Sequence, residues 1–297
     1  MVFLETGTSV VFGLLTASII VLWLPQRFYQ AGGIPLWIIF GTLSGALGLY
    51  YGIAAPGGIL YLLMLAACCY LLNKRDLHAY LRALNGLAIV GLVAGLFLHM
   101  IPFFNNPLVF DNLHLSDQSS AYTKYWSFDK AAAGLILLAY FGAICRSGHD
   151  WKILARKSYI ISAATIFLTL ALALLLGYIK PDIKFTHAYF AWAWADLFFT
   201  CIPEEMLFRG FLQNHLASFS RRNAYQAGIT VFVGILFGLA HAGGGLTYAA
   251  LACVAGVGYG FAYQVTGKIE SAILTHFLLN TAHFLLFTYP LAYQAAP

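Results

Sequence analysis

The sequence predicts an all-α fold, a polytopic transmembrane helix bundle of about ten spans. Composition is the first reason: 61% of the 297 residues are hydrophobic and only 9% are charged, with a mean hydropathy of +0.79. Such a chain lies outside the soluble range. The second reason is spacing, because the apolar residues fall into runs near the roughly 17 to 25 residues that cross a hydrocarbon core. The third is the supply of glycine and aromatic residues, expected where helices pack closely and rings line the interfaces.

Taken in order, the runs are 8–24, 34–55, 57–72, 83–104, 130–145, 158–179, 186–203, 227–241, 246–265 and 270–289. The first lacks the basic flank and small-residue cleavage site of a secretory signal and reads as a retained helix. The one long non-apolar connection, 105–129, has no repeat or low-complexity character and reads as an extracytoplasmic loop. Dense Gly/Ala spacing in "ALACVAGVGYGFA" (250–262) predicts a close helix contact.

The net charge of +5 is scattered over short connections and forms no patch, which argues against nucleic acid as a partner. It reads instead as a topology signal. With alternating spans, one side collects Arg27, Lys74, Arg75, Arg82, Arg146, Lys152, Arg156, Lys157, Arg221, Arg222 and Lys268. The other holds only Lys124, Lys130, Lys180 and Lys184, together with Glu5, Asp111, Asp117, Asp129 and Asp182. Under the positive-inside rule the first side is cytoplasmic and both termini lie outside. Cys68, Cys69, Cys145, Cys201 and Cys253 show no CxxC or Cys/His metal spacing, so neither a disulfide framework nor a zinc knuckle is expected.

Ionisable groups at membrane depth are then the informative ones, since each costs about 2.5 to 3.5 kcal/mol at a helix centre. The candidates are Asp196, Glu204, Glu205, Arg209, His241 and His276. Glu205 and Arg209 stand i, i+4 with the acid first, the favourable order for a pair on one face. Glu204 is turned by about 100° and gains no partner from its own helix. Pro203 suits a first turn or a kink, leaving free backbone N–H groups nearby. His276 and Asn280, again i, i+4, point into one space. Counting rise per residue, from the polar turn near 220 for Glu204 and His241 and from the turn near Lys268 for His276, puts Glu204 and His276 roughly 12 Å below the basic surface and His241 nearer 20 Å. Tilt or an early helix end at "HAGGG" (241–245) would remove the difference. On this count the site opens toward the cytoplasmic side.

Three motifs in order, "EEMLFR" (204–209), "FGLAH" (237–241) and "HFLLN" (276–280), make the chain resemble the CAAX prenyl endopeptidase and bacteriocin-processing (CPBP, Abi) family of intramembrane glutamate proteases. "FRGFLQ" (208–213) is similar to the usual continuation of the first motif, and "YWSFDKAAAGLILL" (125–138) to a segment of some bacterial members. The resemblance covers 186–289 and divides the chain into N-terminal helices of unassigned role, 1–157, and a protease core, 158–297. It implies metal-independent hydrolysis of a peptide bond, without a cofactor, in a membrane-associated peptide or protein at a cytoplasmic-type cell membrane. Carried over, Glu204 is the general base, His241 positions the water, and His276 and Asn280 stabilise the oxyanion. Glu205 and Arg209 become a structural pair, with Phe237 and Asp196 lining the site. Desolvation of a lone carboxylate would bring its pKa into a base's working range.

Rival readings are a zinc enzyme using Glu204, His241 and His276 as ligands with an open position for water, a noncatalytic immunity or partner-binding protein of the same fold, and a transporter with a carboxylate proton relay. No HExxH spacing supports the first. No visible inverted repeat supports the last. His99 and His283 read as packed or interfacial residues.

Overall fold

The computed structural model describes residues 5–24, 30–31, 33–74 and 76–292. Arg27 and Arg75 of the topology argument lie outside them. All ten apolar runs fold as helix. In chain order the N-terminal part is α1 (Thr6–Ile20, continued by a 3-10 turn to Trp23), α2 (Leu36–Tyr50), α3 (Pro56–Leu72), α4 (Ala79–Phe97), α5 (Phe128–Phe141) and α6 (Gly148–Leu175). A two-residue ribbon, Gln30–Ala31 (β1) with Ile34–Pro35 (β2), precedes α2. Among the described residues, six helices are long and apolar enough to cross a membrane, and α2 and α3 are shorter apolar helices. The chain is a multi-pass membrane protein.

Residues 188–217 form one composite helix. It runs α7 (Ala188–Asp196), a π-helical stretch (Leu197–Cys201), α8 (Ile202–Glu205), a second π-helical stretch (Met206–Gln213) and α9 (Asn214–Ala217). Pro203 supplies a local cause: it has no N–H to donate and its ring crowds the carbonyl four residues back, so the preceding turn opens to i→i+5 bonding. α10 (Asn223–Ala240), α11 (Leu246–Thr266) and α12 (Ile269–Leu286) complete the bundle.

α5 is only 14 residues long and buried along most of its length, at Phe128, Asp129 and Ala131 through Leu138. It passes through the middle of the bundle against α8. Gly134 permits this approach, since a Cβ there would stand 2.7 Å from the Cα of Pro203. The predicted close contact in 250–262 is also present: a Cβ on Gly256 would lie 2.9 Å from the carbonyl oxygen of Gly234 in α10.

The 105–129 connection is more ordered than a plain loop. Leu108–Leu113 (β3) and Tyr122–Tyr125 (β4) pair as an antiparallel hairpin. Apolar "LVF" and aromatic "YTKYW" flank a polar turn containing Asp117, Ser119 and Ser120. The runs are too short to carry a membrane signal, so spacing alone does not disclose the strands. Isolated bridges Ala54–Phe104, Ser119–Ala292 and Pro181–Phe287 gather this hairpin with the connections after α2, α6 and α12 at one end of the bundle.

The opposite end is tied by cations on carbonyls. Arg146 Nη1 donates to Leu22 O (2.7 Å), Lys268 Nζ to Ile144 O (3.0 Å) and Arg82 Nη2 to Lys74 O (3.1 Å). There the buried Glu270 carboxylate accepts from the Trp23 indole (2.6 Å) and the Cys145 N–H (2.5 Å). All five cysteines are free thiols.

Candidate active site

The three motifs converge. Glu204 Oε2 stands 3.8 Å from His241 Nε2 and 4.0 Å from His276 Nε2. It is buried and makes no hydrogen bond of its own. Separations of this size between polar atoms are those that a water molecule bridges. His241 reaches this point because α10 ends at Ala240 and His241 caps it before the 3-10 turn Ala242–Gly244. The helix thus ends at this stretch, one of the two possibilities, with tilt, that the spacing left open.

Backbone and second carboxylate fix the two imidazoles. His241 Nδ1 lies 2.7 Å from Phe237 O, four residues earlier. A carbonyl can only accept, so Nδ1 carries the proton and a neutral ring turns its Nε2 lone pair toward Glu204. His276 Nδ1 lies 2.9 Å from Glu205 Oε1 and donates to it. Its ring stacks on Tyr259, with centroids 4.6 Å apart and an interplanar angle of 16°. Phe237 closes the floor, with its ring 4.6 Å from His241 and 5.7 Å from His276.

The Glu205–Arg209 pair forms as the i, i+4 spacing predicts, at 3.2 Å with both side chains fully buried. Arg209 Nη2 also donates to Gly256 O at 2.6 Å. The guanidinium carbon lies 4.7 Å from the Phe237 ring centroid and 5.4 Å from that of Tyr259. One buried unit therefore couples the composite helix, α10, α11 and α12 beneath the site.

Two expectations need correction. Glu204 is not an unpartnered carboxylate: Lys130 Nζ, from the first turn of α5, donates to its Oε1 at 2.5 Å. The partner comes from a distant helix, which the geometry of one helix does not disclose. Nor does the Asn280 amide stand without a partner beside His276. Its Nδ2 lies 3.2 and 3.1 Å from the two oxygens of Asp196, which also accepts from Cys201 Sγ at 3.3 Å. Asp196 thus holds Asn280, and both line the same cavity as Glu204, His241 and His276.

In the sequence, Lys130 and Lys124 stand out only as topology charges. Lys124, on β4, donates to Thr200 Oγ1 at 3.1 Å. Burial pushes its ammonium below the usual lysine range, with Asp196 acting against the shift. The available signal for Lys130 is a lysine in the first turn of an apolar helix, directly after Asp129. That aspartate is buried, takes His99 Nδ1 at 2.8 Å and Asn106 Nδ2 at 3.0 Å, and anchors the start of α5. His99 therefore has a structural place, as does His283, whose Nε2 lies 3.1 Å from Thr288 O.

The cavity has a volume of about 840 Å³. Its exposed lining is Leu98, Thr123, Ala240, Gly244 and Tyr248, all at the hairpin end. The depth count that opens the site toward the basic end fails for this reason. It measures Glu204 from the polar turn near 220 and His276 from the turn near Lys268, whereas His241 sits at the hairpin-side end of α10 and draws the mouth with it.

One oxygen of a buried carboxylate thus faces two imidazoles in a largely apolar cavity of the helix bundle. Residues 186–282 match the family model described as type II CAAX prenyl endopeptidase Rce1-like. That segment spans α7 to α12 and contains every motif residue named above. No match was found among the curated proteins or among the solved structures.

Proposed function

We propose that the protein is an intramembrane endopeptidase of the glutamate type, acting on membrane-associated peptides or proteins at a cell membrane. The observation that carries this reading is the orphaned, buried Glu204 Oε2 facing two Nε2 atoms across gaps of 3.8 and 4.0 Å. A water placed there is oriented by the lone pair of His241 and gives its proton to Glu204 as its oxygen attacks the scissile carbonyl. Lys130 holds the other carboxylate oxygen and aims Oε2 at the water. His276, as an imidazolium between Glu204 and Glu205, presents Nε2–H to the developing oxyanion, and Asn280 adds its amide under the control of Asp196. Glu204 then returns its proton to the leaving nitrogen as the C–N bond breaks.

Asn280→Ala is expected to lower turnover by about 100- to 1000-fold with little change in apparent substrate binding, read as kcat and KM on a library of internally quenched peptides. A near-normal kcat would remove Asn280 from the oxyanion site.

One rival reading uses Glu204, His241 and His276 as a two-histidine, one-carboxylate set, with outer partners at Phe237 O and Glu205, although among the described residues no such group is arranged to hold a metal ion. Against it, a divalent ion would sit on a carboxylate already carrying the Lys130 ammonium. Metal analysis of the purified protein and activity after prolonged chelation separate the two. Direct water activation predicts no stoichiometric zinc and full retention of activity. One zinc per chain with activity lost on chelation would establish the metal mechanism, since the ion then lowers the water pKa to about 7.

A further inference from the structure

The cavity mouth and the loop charges point to opposite ends of the bundle. Among the described residues, nine lysines and arginines lie at the end away from the hairpin: Lys74, Arg82, Arg146, Lys152, Arg156, Lys157, Arg221, Arg222 and Lys268. At the hairpin end Lys124 and Lys130 turn inward to Thr200 and Glu204, and Lys184 is paired with Asp182 at 3.0 Å. Only Lys180 remains as an ordinary loop cation there. A bias of this size in short connections sets the basic end in the cytoplasm.

We infer that the site opens on the extracytoplasmic face, and that its substrates are translocated, membrane-tethered proteins presented from that side. The substrate class rests on the protease reading above; the sidedness does not. Three features favour such a substrate. The cavity walls are largely apolar, with Leu207, Phe208, Leu236 and Leu279 among them, which suits the end of a membrane anchor. α4 and α10 both line the cavity while burying only a minor share of their residues in the bundle, so an anchor in the bilayer lies beside its walls. The hairpin and Tyr289–Leu291 frame the cavity at the same end, where the chain emerging from that anchor meets the aqueous phase. A protein confined to the cytoplasm, whatever lipid it carries, would approach the closed end.

Sidedness is tested with single cysteines in the full-length protein, read against the parental background, using a membrane-impermeant maleimide on intact cells. Asp117→Cys, in the exposed hairpin turn, is expected to label at once, and Arg221→Cys, at the basic end, only after permeabilisation. The reverse pattern overturns the inference. Peptide-end mapping of cells carrying wild type or Glu204→Gln tests the substrate class. Fragments of single-span proteins released outside the cell and dependent on Glu204 support it, and Glu204-dependent fragments in the cytoplasm overturn it. Identical fragment sets with outward labelling would leave the sidedness standing and reject the protease reading together with the substrate class built on it.

Discussion

Glu205→Gln is expected to destabilise the folded protein by about 3 to 5 kcal/mol, the cost of breaking a buried ion pair from one side. Glu205 is fully buried and accepts from both Arg209 and His276. Its amide replacement keeps the shape but leaves the guanidinium without its paired counter-charge, beside Gly256 O and the faces of Phe208, Phe237 and Tyr259. Thermal unfolding in detergent should show a large drop in midpoint and a smaller yield of folded protein. The double change Glu205→Gln with Arg209→Met removes the stranded cation and should recover much of that loss, because the desolvation penalty disappears along with the pair. A fully stable Glu205→Gln protein without activity would exchange the roles of the two glutamates.

Much of this molecule is legible in its sequence because membrane folding places few demands on pattern. Each long, continuous apolar run has to become a helix, since outside a closed β-barrel the bilayer leaves no other way to satisfy the backbone, and each does. The Glu205–Arg209 and His276–Asn280 spacings correctly place side chains on common helix faces, and the "HAGGG" stretch correctly marks an early helix end. What spacing does not supply is anything carried between distant helices. Lys130 reaches Glu204 across 74 residues of sequence, and Asp196 meets Asn280 across 84. Both contacts depend on how α5, the composite helix and α12 cross.

Three further features escape for local reasons. Of the two π-helical stretches around Glu204, the first follows from Pro203, and an apolar run reads the same whether its turns are tight or wide. The hairpin at 108–125 is hidden in a polar connection whose strands are too short to register. The direction of the cavity comes out reversed because depth is counted along straight helices from one end, when His241 fixes the site from the other.

The assignment of Glu204 as the group that activates water is the claim on which the functional reading stands. Glu204→Gln keeps the volume of the side chain and removes its charge, and the structure shows what else changes: Lys130 loses its ionic partner. That side chain retains 16% exposure along the cavity, so water can solvate it, and the fold should survive with at most a modest fall in thermal midpoint. Lys130→Met serves as the control for the lost ion pair, since it breaks the same contact while leaving the carboxylate in place. The decisive measurement is cleavage of an internally quenched peptide library by purified wild-type and Glu204→Gln proteins at matched folded concentration. Turnover by the wild type and none above background for the variant, with comparable unfolding midpoints, is the predicted result. Cleavage by folded Glu204→Gln at the wild-type rate would contradict the account.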